Sequence, residues 1–161
     1  MWLKLIGAAM LLASGLLLAE RRTRAEQEQL ARIEGFCAVF SYIRAQIEML
    51  CLPLDEIFRR MPPAMLYDCG CGDSAILTAS PADVLSRAAA GIADEAARAA
   101  AEDAASRLGK GTREDQLRLC GGAVEALTAR CGVLAAQAEK NGKSRGVLTA
   151  AGCLAAVILL W

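Results

Sequence analysis

Apolar and polar positions divide the chain into three parts. Residues 2–19 (WLKLIGAAMLLASGLLLA) form an apolar run broken by a single charge, Lys4. As a helix such a run reaches about 27 Å, nearly the thickness of a bilayer core. Residues 146–161 (GVLTAAGCLAAVILLW) form a second run with no charge. It would reach about 24 Å, a deficit that bilayer thinning or snorkelling of Lys143 and Arg145 would cover. The pattern predicts an N-terminal transmembrane helix at 2–19, a helical domain at 20–145 and a C-terminal transmembrane helix at 146–161. The alternative for the first run is a cleaved secretory signal, but Leu17 and Ala19 precede Glu20 where cleavage wants two small residues. The alternative for the second is a buried core helix.

Between the runs the spacing is helical. Leu30, Ile33, Cys37, Phe40, Ile47 and Cys51 recur three or four residues apart, with Arg44 the one polar interruption. Phe36, Ile43 and Leu50 widen the stripe, and only Gly35 breaks the helical composition. Leu52-Pro53-Leu54 restarts the chain, with Pro53 as the first residue of a short helix to Arg60 that Met61-Pro62-Pro63 ends. Residues 68–74 (DCGCGDS) read as a loop. Ser80-Pro81 opens a helix to about Ala90, and a further Ala-rich helix is expected over 92–108. Gly109-Lys110-Gly111 is a turn. Thr112 caps a last long helix with Glu114 and Asp115 in its first turn. Along that helix Leu117, Cys120, Val124, Leu127, Cys131, Leu134 and Ala138 form a second stripe. Two such stripes rooted in the same membrane face predict an all-α fold: an antiparallel helical bundle, coiled-coil-like at its seam.

Composition agrees. The chain is 55% hydrophobic but only 4% aromatic, and its apolar content is mostly Ala and Leu, which favour helix. Eighteen basic residues balance eighteen acidic ones. No basic stripe interleaved with aromatics points to nucleic acid. The basic residues cluster at Arg21, Arg22, Arg24 and at Lys140, Lys143, Arg145. By the positive-inside rule the middle domain faces the cytoplasm from the cell membrane, with both termini across it. Trp2 and Trp161 then share the far interface. Small residues four apart in both apolar runs, such as Ala9 with Ala13 and Gly152 with Ala156, would allow close helix contact.

Candidate chemistry is sparse. There is no His, so the commonest general base and metal ligand is missing. Gly142-Lys143-Ser144 looks like the tail of a phosphate loop, but Gln137 stands where its first Gly belongs and no strand precedes it. Of the seven Cys, Cys37, Cys51, Cys120 and Cys131 lie in the stripes and read as small buried residues in a reducing compartment. Cys69 and Cys71 flank Gly70, a spacing too short and a ligand set too small for zinc. They read as loop thiols without a role. Arg44 would pair with Glu48 or snorkel to the surface, or else meet a partner carboxylate. The reading is a non-enzymatic protein without catalytic residues, metal, cofactor or small-molecule substrate.

The stretches 43–58 (IRAQIEMLCLPLDEIF) and 108–127 (LGKGTREDQLRLCGGAVEAL), with the opening MWLKLIGA and the apolar tail, resemble the stage III sporulation protein AB family. The most specific positions are Leu108, Gly109, Arg113, Glu114 and Gln116, with Pro53-Leu54 upstream. The chain departs from the family over 61–79, which is short and Cys-rich. The resemblance implies a helical domain similar to those of type II secretion and type IV pilus platform proteins. It implies an assembly role in a secretion-like complex between mother cell and forespore, on the mother-cell side. Implied partners are other membrane proteins of that complex and a cytosolic motor ATPase. In an antiparallel pair Pro53, Leu54, Gly109, Arg113, Glu114 and Gln116 would share one cytoplasmic tip, the candidate partner-binding site. The alternative is a membrane-tethered receptor or regulator of one soluble partner.

Overall fold

Ala and Leu dominate the long segments and Pro and Gly stand between them, so the backbone breaks into helices at those punctuation points. A computed structural model describes the backbone of residues 2–71 and 80–160, and the side-chain surroundings of 20–142 apart from 22 and 72–79. The elements are α1 (Trp2–Leu50), α2 (Leu54–Arg60), α3 (Pro63–Asp68), α4 (Pro81–Ala89), α5 (Glu95–Arg107) and α6 (Arg113–Leu160). The described residues are all-α, with no strand among them.

The chain divides into two compact units, residues 1–28 with 134–161, and residues 29–133. The first consists of the outer lengths of α1 and α6. The expected membrane segment 2–19 and residues 146–160 of the expected 146–161 are helical in backbone; residue 161 and the side chains of both segments lie outside the described residues. Among the described residues one helix, Arg113–Gly142, is long and apolar enough to cross a membrane, with a mean hydropathy of 1.3.

In the second unit α1 buries Ile33, Phe36, Val39, Phe40, Ile43 and Ile47. Their spacing keeps them on one face of a 3.6-residue helix. Phe36 and Phe40 face each other one turn apart, ring centroids 6.3 Å apart. From α6 come Cys120, Ala123 and Leu127, all buried. The two helices run antiparallel here. Cys37 Sγ lies 3.8 Å from Thr128 Oγ1. Arg44 lies against Gly121, and Arg113 reaches Ile47 and Glu48, so partners descend along α6 as α1 ascends. The α1 stripe stops short of its expected end, because Leu50 and Cys51 are exposed. The chain turns away there, with Cys51 at φ +50° and α2 bent 117° from α1.

Gly35 is required by packing rather than by flexibility. A β-carbon there would lie 2.8 Å from the Asp68 carbonyl carbon and 3.0 Å from the Cys69 amide nitrogen. The end of α3 therefore rests directly on α1. This α3 occupies part of what the composition marked as a break. Pro62-Pro63 ends α2 and also starts a helix, with Pro63 in its first turn, where a missing N–H costs nothing. Pro53 stands one place earlier than expected, as the N-cap of α2.

The start signals at Ser80 and Asp94 have physical partners. Ser80 Oγ accepts from the Asp83 N–H at 3.2 Å, and Asp94 Oδ1 accepts from the Ala97 N–H at 2.8 Å. Cap bonds of this kind satisfy orphan amides of the first turn. Asp94 sets the start of α5 at Glu95, three residues later than the composition suggested. The helix α4 packs along α5 and touches α2. The linker between α4 and α5 is held to α1 by Gln29 Oε1, which accepts from the Ala93 N–H at 2.9 Å.

Candidate functional site

The six residues singled out in the sequence come together at one end of unit 29–133. Pro53 precedes α2 with extended backbone, φ −64° and ψ 150°. Leu54, the first residue of α2, places its Cδ2 3.3 Å from where a β-carbon on Gly109 would stand. Gly109 itself has φ +78°, a conformation open to glycine and strained for most other residues. The turn 108–112 thus packs on the start of α2, although the two stretches are some fifty residues apart.

Arg113 joins the same end to α1. Its Nε donates to Ile47 O at 3.2 Å and its Nη2 to Glu48 O at 2.7 Å. These are carbonyls of the last turn of α1, which lack intrahelical donors and carry the negative end of the helix dipole. A guanidinium is suited to this position by its fixed fork of N–H groups. Gln116 is 8% exposed. Its Oε1 accepts from the Gly109 N–H at 2.9 Å, and its Nε2 donates to Arg107 O at 3.3 Å and to Lys110 O. One side chain therefore closes the turn between α5 and α6. Thr112 and Asp115 cap α6 reciprocally. Asp115 N–H donates to Thr112 Oγ1 at 3.2 Å and Thr112 N–H donates to Asp115 Oδ2 at 3.1 Å.

Arg113 and Gln116 are thus engaged with their own backbone. Arg113 is nonetheless exposed, as are Pro53, Glu114 and Lys110, and beside them stand two bare apolar side chains, Met49 at 80% and Leu50 at 55% exposure. Met49 was not among the residues the sequence singled out. Its signal was available: it falls off the apolar stripe of α1 at a position where a polar residue is expected.

The Cys69–Gly70–Cys71 turn is non-helical as expected of 68–74, of which 72–74 lie outside the described residues, but it is packed rather than open. Both thiols are buried. Burial, with the nearby Cys71 and Asp68 adding to it, pushes the Cys69 thiol far up, and burial alone raises Cys71. Both are therefore protonated and poorly nucleophilic. Arg32 opposes the shift in each case. Its guanidinium lies over Gly70 and Gly91, where any β-carbon would collide with it, and donates to Gly91 O at 2.7 Å. Arg32 was missed at the sequence level, since only the tertiary approach of two glycines reveals it. Among the described residues no His, Cys, Asp or Glu side chains form a group of three that could hold a metal ion. Arg44, expected to pair with Glu48 or to snorkel, reaches the surface along Gly121.

Among the described residues, one ion pair joins distant parts of this unit. Arg130 Nε donates to Asp94 Oδ1 at 3.1 Å, and its Nη2 meets the other carboxylate oxygen. Hydrogen bonding to Arg130, and then to the Ala97 amide, holds the Asp94 carboxyl below the usual carboxylate range. The same carboxylate therefore caps α5 and ties it to α6.

Scans of the chain against models of protein families, curated proteins and solved structures return no match.

Proposed function

We propose that this chain is a non-enzymatic, platform-like membrane component of a secretion-like sporulation complex between mother cell and forespore. In this reading the outer lengths of α1 and α6 are two transmembrane helices, and residues 20–145 form a cytoplasmic antiparallel bundle. Its partners are other membrane proteins of the complex and a cytosolic motor ATPase. The observation that supports the reading is the meeting of 43–58 with 108–127, the two stretches that carry the resemblance to the stage III sporulation protein AB family. They touch through Arg113 on Ile47 and Glu48, and through Leu54 on Gly109. Between them they present Met49, Leu50, Lys110 and Glu114 outward.

The test is crosslinking in sporulating cells followed by gentle extraction and identification of what co-purifies. The assembly reading expects a motor ATPase and several membrane proteins with the wild-type chain. It expects their loss with Glu114→Arg, which reverses an exposed charge of the first turn of α6, in a variant whose retained helicity shows that losing the favourable dipole contact has not unfolded the domain. Isolation of the chain with neither class of protein would overturn it. The exposed Met49 and Leu50 favour a second reading, a tether for one soluble partner. That reading expects a single soluble protein and no large membrane assembly.

A further inference from the structure

We propose that the groove between α5 and α6 is a docking surface for a second copy of this chain, related to the first by a two-fold axis. This does not rest on the assembly reading above. The groove has a volume of about 450 Å³, a floor of small residues that includes Ala104, Gly122 and Ala126, and four charged side chains around it.

The glycine comes first. Gly122 lies inside α6, where glycine weakens a helix relative to alanine. A β-carbon there would meet nothing within 4 Å. Among the described residues nothing calls for glycine here, as is also true of Gly132 and Gly142 further along the helix, but only Gly122 lines the groove, where a close-approaching external backbone would use it. Among the described residues, 17% of the most apolar 18-residue window of this helix is buried.

The charges select the occupant. On α5, Asp103 pairs with Arg107 at 3.1 Å; on α6, Asp115 pairs with Arg118 at 2.7 Å. The helices are joined by a short turn, so Arg107 and Asp115 lie beside it and Asp103 and Arg118 lie about one helical turn further away. The four charges form a checkerboard. Rotation about a two-fold in the plane of the groove, whether along the helices or across them, sets each positive corner over a negative one. The patch is therefore complementary to itself, as an isologous interface demands. A lipid chain would gain nothing from four paired charges at the rim, and a foreign helix would have to reproduce the pattern.

The experiment measures the mass of the purified full chain in detergent micelles, under reducing conditions, by sedimentation equilibrium. The expected result is a reversible dimer that weakens as salt rises, since rim charges are screened. Gly122→Lys places a long charged side chain where the single chain has open space, so helicity and thermal unfolding should hold. The dimer dissociation constant should rise by about tenfold or more. Gly122→Ala, which adds one methyl group, should shift it far less. A wild-type chain that stays monomeric, or a dimer whose affinity Gly122→Lys leaves unchanged, overturns the proposal. Either result leaves the test of the motor ATPase untouched.

Discussion

Replacing Gln116 is the sharpest perturbation of the candidate tip. Its amide serves three backbone groups of the turn between α5 and α6: the Gly109 N–H, Arg107 O and Lys110 O. Gln116→Met preserves length and removes all three bonds. A net hydrogen bond contributes about 0.5–1.5 kcal/mol, so three sum to about 2–4 kcal/mol. Water can reach carbonyls of an exposed turn, which favours the lower end, about 2 kcal/mol. Gln116→Glu keeps the acceptor but points a carboxylate at two carbonyl oxygens, so it should destabilise more than Gln116→Met at pH 7. Its carboxyl pKa in the folded state should be raised, because only the protonated form can donate. The folded state then binds the extra proton, and the deficit relative to wild type shrinks as pH falls through that raised value. Urea unfolding of the full chain at several pH values reads these differences, and amide exchange at Gly109 reads the turn directly. If Gln116→Met unfolds within about 0.5 kcal/mol of wild type with Gly109 exchange unchanged, well below the summed bond estimate, the reasoning fails.

Three further outcomes follow from the packing. Asp94→Asn should keep the cap of α5 but lose the charge that pairs with Arg130. Because the Asp94 carboxyl is held low in the fold, its contribution is present above the unfolded value and lost as pH falls through the lower folded one, so wild type and variant should converge in stability as the solution is acidified past both. Gly35→Ala should destabilise by about 1–3 kcal/mol, since its methyl group would press on the Asp68 and Cys69 backbone; unchanged chemical denaturation would show that α3 yields freely. Leu127→Ala, at a fully buried position, should cost about 2–5 kcal/mol in the same assay, and a loss under 1 kcal/mol would mean that the α6 stripe is not packed.

Local signals predicted local structure well. Ser80-Pro81 marked the start of α4, and Gly109 to Thr112 marked both a turn and the next cap, because those residues act on groups three or four places away. The stripe of α1 was readable from spacing for the same reason, whereas of the seven positions expected on α6 only Cys120 and Leu127 are buried. What failed needed information from afar. The apolar spacing ran on through Leu50 and Cys51, since periodicity carries no sign that the chain will bend. Pro62-Pro63 was read as an end alone, although proline is equally suited to a first turn. The six candidate residues lie at one end of unit 29–133, but the work of Arg113 was hidden, because its acceptors lie 65 and 66 residues away. The buried corner at Cys69 was hidden too, since its cover is Arg32 and α1.

The bonds that hold α1 to α6 span 65 to 91 residues of sequence, and this has a consequence for biosynthesis. The helix α1 leaves the ribosome first, carrying Ile33, Phe36, Phe40 and Ile43 on one face. Its partner stripe on α6 is made last. At about 5–20 residues per second, the apolar face of α1 waits about 3–18 s for the side chains that will cover it. Helices α5 and α6, joined by a turn that Gln116 closes across only seven residues, can pair as soon as both have emerged. The order of synthesis thus opposes the order of closure. The face of α1 that meets α6 is therefore the last part of that helix to be covered, after α3 has reached Gly35 and the α4–α5 linker has reached Gln29 and Arg32.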